Sequence, residues 1–181
     1  MSASEDPVAP LSIEPPSGMG REVGLLFAAL EECRRRTRDT VAGMSTADLD
    51  HRFDDDPHSI GAHLLHVAGV ELEAVQRVVL GERVAESEER ELAAGVLDSE
   101  SSRALSGHDV GYYLGKLDEV RARTESACWS LKDDDLERES ARPGAGRSVT
   151  LRWMLAHLAD HEAHHRGEIA SLRRRLARRR G

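Results

Sequence analysis

Trp153-Met-Leu-Ala-His-Leu-Ala-Asp-His-Glu-Ala-His-His-Arg-Gly-Glu-Ile169 places His157, His161, His164 and His165 within nine positions, four of the chain's nine histidines. Residues four apart on a helix lie one turn apart and are rotated by only about 40°. His157, His161 and His165 therefore form one stripe. Two imidazoles at i and i+4 can grip one metal ion from the same helix face. A second stretch, His58-Ser-Ile-Gly-Ala-His63-Leu-Leu-His66-Val-Ala-Gly-Val-Glu71, can supply a third imidazole from a neighbouring helix. Three neutral imidazoles leave one or more coordination positions for water or substrate, as in catalytic zinc sites; a closed structural site uses four protein ligands.

The rest of the chain supports a helical scaffold for that stripe. At 181 residues it fits a single domain with a sizeable core. Hydrophobic residues make up 39% and aromatic ones only 3%, so the core is built from Leu, Val and Ala. β-branched runs are few and Asn-Gly hairpin signals are absent, which favours helices. A net charge of −8 argues against general nucleic-acid affinity. No apolar run approaches the roughly 18 to 20 residues of a membrane span. The first 20 residues hold Pro7, Pro10, Pro15 and Pro16 and no apolar segment of the signal-peptide kind. Cys33 and Cys128 are too few for a disulfide framework and read as reduced core thiols, the usage expected of a cytoplasmic protein.

Four long periodic segments follow a Pro- and Ser-rich arm over residues 1–17, which leaves 18–181 as the single helical domain. Val23, Leu26, Phe27, Leu30 and Cys33 predict a first helix over 21–44. Ser45 caps a short turn at 46–50. Ser59 caps a second long helix that runs to Leu80 and stops at Gly81. The acidic, polar stretch 82–107 reads as a loop with one short helix. A third long helix spans 109–131, residues 142–147 form a loop, and Ser148 or Thr150 caps a last helix reaching about Arg178. Four such helices imply an all-α four-helix bundle. The connections do not settle its topology.

The pairing of Ser59-Ile-Gly-Ala-His-Leu-Leu-His66-Val-Ala with His161-Glu-Ala-His-His165-Arg-Gly-Glu-Ile resembles the DinB/YfiT-like superfamily, over roughly residues 20–178. That resemblance implies a four-helix bundle in which three histidines hold a divalent metal, usually zinc or nickel. By position the ligands are His66, His161 and His165. Glu168 stands where the family often has Gln. The resemblance also implies metal-activated attack of a low-molecular-weight thiol on a small electrophile, as in S-transferases and thiol-dependent isomerases; the arginine-rich composition favours mycothiol. The partners implied are a small-molecule thiol, an electrophile and a second copy in a homodimer. The alternative is a non-catalytic metal-binding stress or sensor bundle. A third reading, association with nucleic acid, has only the Arg-rich tail and the family's name behind it.

Each candidate has a plainer reading. His63 competes with His66 for the third position. His157 reads as packing or as support for a ligand, and His164 as solvent-facing or at a dimer seam. Glu162 and Arg166 are the weak catalytic candidates: Glu162 as base or ligand-orienting group, Arg166 as a steering cation or salt-bridge partner. Glu71 and Asp160 could orient a ligand, but all three carboxylates read more simply as helix-surface groups. Trp129 and Trp153 read as core or interface residues. The basic run Arg173–Arg180 suits a helix C-terminus and could pair with the acidic 82–100 region.

Overall fold

The computed structural model describes residues 12–141 and 148–180. Residues 1–11 of the expected arm and the expected loop at 142–147 lie outside the described residues. Pro15 and Pro16, from the end of that arm, are half-buried. Gly24 makes room for them: a Cβ there would lie 2.5 Å from Cβ of Pro15.

Helix α1 spans Arg21–Val41 and buries Val23, Phe27, Leu30, Cys33, Arg34, Thr37 and Val41 along one stripe. Its N-cap, Gly20, has no side chain to offer. Asp133 supplies the cap from 111 positions away, its Oδ1 accepting from the N–H groups of Glu22 and Val23 at 3.0 Å each. Short α2, Thr46–Asp50, opens with a Ser45–Asp48 capping box. Helix α3, Ile60–Glu73, starts at Ser59, whose hydroxyl accepts from Ala62 N–H at 3.2 Å. It continues as π-helical turns over Ala74–Leu80 and stops at Gly81, whose φ of 72° is the left-handed conformation that glycine adopts without strain. The stretch expected as a loop with one short helix contains two, α4 (Glu86–Leu92) and α5 (Glu100–Ala104), with a 3-10 turn at Ala93–Gly95. Helix α6, Val110–Ser130, is capped by Asp109. Strands β1 (Glu139–Ala141) and β2 (Ser148–Thr150) pair antiparallel in a small ribbon that the sequence reading did not anticipate. Helix α7, Leu151–Arg180, begins where Thr150 Oγ1 accepts from Trp153 N–H at 3.2 Å, so Thr150 rather than Ser148 is the cap.

The long helices α1, α3, α6 and α7 form the bundle. α1 packs mainly on α7, and α3 on α6. Both pairs are parallel. Along α1 and α7, Cys33 meets Ala159, Arg34 meets Glu162 and Thr40 meets Arg173. Along α3 and α6, Gly61 meets the Tyr113 ring, and Glu71 meets Arg121 and Thr124. The pairs run antiparallel to each other: His63 meets His165 while His66 meets His161. Around the bundle the order is α1, α7, α3, α6, and the chain runs up, down, down, up. Parallel α3 and α6 need a crossover, and residues 82–109 provide it.

The apolar core has two parts. One gathers Val23, Phe27, Leu30, Val75, Leu151, Leu155 and Leu158. The other gathers Leu64, Leu65, Tyr113, Leu117, Ile169 and Leu172. Between them in sequence, on each of the four helices, lie the buried polar residues Arg34, Glu71, Arg121, Thr124 and Glu162.

Trp129 and Trp153 are 47% and 41% exposed, which removes them from the core. Within one chain the arginine tail does not pair with the acidic 82–100 stretch. Arg175 pairs with Asp55 and lies over the Phe53 ring, Arg180 pairs with Asp48, and Arg179 meets His51 Nε2 at 2.7 Å. The nearby acids at 48–56 are what the end of α7 reaches. The acids of the crossover are taken by helix surfaces instead: Glu88 by Arg123, Glu89 by Arg77 and Glu91 by Lys116.

Candidate metal centre

His66 of α3 and His161 and His165 of α7 converge at the antiparallel α3–α7 contact. One nitrogen from each ring lies within 4.8 Å of the other two. Nε2 of His66 and Nε2 of His161 are 3.2 Å apart. Two nitrogens at about 2.0 to 2.1 Å from a tetrahedral ion are separated by about 3.3 Å, so this pair already has the spacing of a coordination edge. The i, i+4 interval puts the His161 and His165 rings 4.5 Å apart between centroids.

The second ring nitrogen of His66 is also committed. Nδ1 lies 2.8 Å from the carbonyl oxygen of Gly95 in the crossover. A carbonyl only accepts, so Nδ1 carries the proton and the Nε2 lone pair is left toward His161 and His165. Gly95 gets this close because it has no side chain: a Cβ there would lie 2.6 Å from the Leu65 carbonyl oxygen and 2.9 Å from the His66 amide nitrogen. His63, one turn before His66, faces His165 instead, with their Nδ1 atoms 3.0 Å apart. Beyond it, His58 holds Asp98 through Nε2 at 3.0 Å. His157 stacks on the Trp153 ring at 4.5 Å, 6.0 Å from the His161 ring. His164 is exposed.

Burial, and then the neighbouring imidazoles His161, His66 and His63, push His165 down to about 3. Burial, followed by His58, pushes His63 down to about 4. His66 is also lowered, mainly by burial. These three rings are therefore neutral at pH 7, the state in which an imidazole can bind a metal.

Beneath the histidines, a buried charge network ties the four long helices together. Arg34 donates to Glu162 Oε1 at 2.9 Å, to Glu71 Oε2 at 2.7 Å and to the Leu117 carbonyl at 2.6 Å. Arg121 donates to both oxygens of Glu71, at 2.7 and 3.1 Å, and to Glu162 Oε2 at 3.2 Å. The Thr124 hydroxyl adds a bond to Glu71 Oε1 at 2.7 Å. Glu71 and Glu162 are thus interior groups, which corrects the helix-surface reading; Asp160 is exposed, as that reading expected. Burial alone would raise the Glu71 carboxyl, but Arg121, then Arg34 and Thr124, hold it below the ordinary carboxylate value. Arg166 donates to the Cys33 thiol at 3.1 Å and lies 3.4 Å from its carbonyl. Cys128 is fully buried and its thiol is pushed up to about 12, foremost by that burial.

Arg34, Arg121, Thr124 and Gly95 were not picked out from the sequence. A signal for the first three was present: Arg34 continues the stripe Leu30, Thr37, Val41, and Arg121 and Thr124 fall between Leu117 and Cys128 at helical spacing. A polar residue in register with an apolar stripe is a candidate for a buried, paired group.

A cavity of about 470 Å³ adjoins the triad, with His66 and Gly95 in its wall. Among the described residues, no helix is long and apolar enough to cross a membrane.

Comparison with known proteins agrees with this architecture. YkkA of Bacillus subtilis (strain 168), itself uncharacterized, is 27% identical over 160 residues, 86% of this chain and 89% of that protein. The fold is similar to that of YfiT from Bacillus subtilis, described as a probable metal-dependent hydrolase with an unusual four-helix bundle topology (TM-score 0.63, 19% identity, 91% of this chain and 93% of that one). A conserved Enterococcus faecalis protein of known crystal structure superimposes with a TM-score of 0.64 at 17% identity, covering 83% of this chain and 94% of its own. The DinB superfamily pattern matches residues 29–169, well over half of the sequence, and the chain belongs to that superfamily.

Proposed function

We propose that this chain is a divalent-metal-dependent enzyme in which His66, His161 and His165 hold the ion, zinc or nickel, and a small thiol of the mycothiol type reacts with a small electrophile. The observation that carries the reading is the 3.2 Å approach of two imidazole Nε2 atoms, one with its far nitrogen already tied to a carbonyl, at the edge of a cavity. All three donors are imidazoles, a set that suits zinc and nickel. When bound, such an ion supplies Lewis acidity, which favours the deprotonated form of a thiol or of water at neutral pH.

The chain's own residues do the positioning. The Gly95 carbonyl fixes the tautomer and plane of His66. His63 engages Nδ1 of His165, which leaves Nε2 of that ring to the metal. Glu162 is occupied by Arg34 and Arg121, so it anchors the helix that carries His161 rather than serving as a free base. In the transfer itself, the thiolate sulfur forms a bond to the electrophilic carbon and the leaving group departs with the bonding electron pair. Water as nucleophile at the same site gives hydrolysis, the activity named for YfiT. A purely metal-binding sensor role is less well supported, because a sensor has no need of the cavity beside His66. We place the protein in the cytoplasm, on its two free cysteines, Cys33 and Cys128, and, in keeping with the family resemblance, as a homodimer.

Elemental analysis tests the reading. Wild type is expected to carry about one metal ion per chain and His161→Ala to carry far less, and thiol-transfer and ester-hydrolysis assays of the loaded protein then separate the two chemistries. Wild type that takes up neither zinc nor nickel would sink the proposal.

A further inference from the structure

The cavity beside His66 has a shape and lining that say what enters it. Along α3 and its π-helical continuation, His66, Gly69, Val70, Glu73 and Arg77 line one wall on successive turns. At about 1.5 Å per residue, the α-helical part from His66 to Glu73 spans about 10 Å, and the π-helical turns carry the wall on to Arg77, so the space is elongated. The opposite wall is the crossover: Val84, Leu92, Ala93, Val96 and Leu97. The interior is aliphatic. Four charged residues share the lining: Glu73 and Glu89 pair with Arg77, and Glu88 with Arg123, while Nε of Arg77 is buried without a hydrogen-bond partner. Val96 is 60% exposed and lines the same space, so its isopropyl group is available to an apolar ligand. A volume of about 470 Å³ is within the range of small-molecule sites.

We infer that this groove is the recognition site for an elongated, uncharged aliphatic group of the substrate, held with its reactive end at His66 and its tail between α3 and the crossover. The inference rests on the metal-centre reading for the reactive end and on the groove alone for the tail. Recognition here is by removal of apolar surface from water. Each methylene that enters contributes about fourfold in affinity, from the roughly 0.8 kcal/mol per buried CH₂. Glu73, Glu88 and Glu89 outnumber Arg77 in the lining, which disfavours an anionic tail. The crossover thereby has two tasks, since the backbone that walls the groove also carries the Gly95 carbonyl that sets His66.

Two ligand series test this. The first is n-alkanols from butanol to octanol, titrated calorimetrically into metal-free protein. Affinity is expected to rise about fourfold per carbon until the groove is filled, and the rise is expected to flatten in Val84→Asp and in Leu92→Asp. The second is n-alkyl hydroxamates from acetohydroxamate upward, titrated into zinc-loaded protein. They are expected to show the same slope plus a constant gain from chelation, and acetohydroxamate is expected to bind the two variants as it binds wild type, which shows that both remain folded. A flat alkanol series overturns the inference whatever the metal does. A rising alkanol series with no zinc uptake upholds the groove and removes only the metal reading. Zinc-loaded protein that binds acetohydroxamate but gains nothing from a longer chain separates groove from site and overturns their connection. Sedimentation closes the remaining case: alkanol binding that disappears as the protein dimerises assigns the groove to a second copy and overturns the inference.

Discussion

Gly95 occupies a spot where no side chain fits. Adding one methyl group forces the crossover away from α3, because its Cβ would meet the Leu65 carbonyl and the His66 amide, both backbone groups that cannot swing aside. Gly95→Ala is therefore expected to weaken metal binding about 10- to 100-fold, the usual effect of losing a partner that orients a ligand, while far-UV circular dichroism stays unchanged. Competition with a chromophoric chelator measures it; unchanged affinity would mean that the Gly95 carbonyl does not orient His66. At this scale the histidines were legible because the i, i+4 interval is itself a statement about geometry. The Gly95 carbonyl was not, since a glycine in an acidic stretch looks like any loop glycine and a backbone acceptor leaves no trace in the sequence. Nor were the partners of Glu71 and Glu162 legible. A carboxylate on a helix reads as surface until its arginines are known, and Arg34 and Arg121 arrive from other helices.

The bundle helices could be read from their periodic apolar stripes and their caps, Ser59 and Asp109 among them. Helix α4 could not be given its bounds in this way: none of its residues is buried, and it is held by docking against α3 and by ion pairs such as Arg77 with Glu89. The cap of α1 was equally hidden, because Asp133 comes from the far end of the chain. That cap leads to a prediction about the element it serves. The amide groups of Val23 and then Glu22 hold the Asp133 carboxyl below its ordinary value of 3.8. A folded value below the unfolded one means that the stabilisation is complete well above pH 3.8 and disappears as pH falls through the folded value. Asp133→Ala is expected to lower the melting temperature by a few degrees at pH 7, with fraying confined to the start of α1 in hydrogen exchange, and the gap to wild type is expected to narrow below about pH 4. A gap that stays constant from pH 7 to pH 3 would show that the carboxylate does not act as a cap.

Across the whole molecule, a buried set of two arginines and two glutamates joins α1, α3, α6 and α7 between the two halves of the core, with half-exposed Glu31 as a further partner of Arg121 at 2.8 Å. Removing one member leaves an uncompensated charge in the interior, so Glu71→Ala is expected to cost about 3 to 5 kcal/mol, a large part of the roughly 5 to 15 kcal/mol of a typical domain. Urea titration measures it, and a loss below 1 kcal/mol would mean that the network is solvated. Because Glu71 is held below its ordinary 4.5, its contribution is full above that pH and fades below it. Glu71→Gln is therefore expected to be less stable than wild type at pH 7 and to approach it in acid.

The up-down-down-up course has a kinetic consequence. Each long helix is followed in the chain by one that is either diagonal to it or parallel to it, so no consecutive pair can dock as a hairpin. The contacts that close the bundle join distant positions, 128 apart for Arg34 and Glu162 and 95 apart for His66 and His161. Loop closure must come before the reward. This chain is expected to refold at least tenfold more slowly in stopped-flow mixing than the micro- to millisecond times typical of helical bundles, and an isolated segment 21–80 is expected to stay unfolded. The three imidazoles meet only when the C-terminal helix has found α3, nearly a hundred positions earlier, so an assembled centre reports that this long-range closure is made.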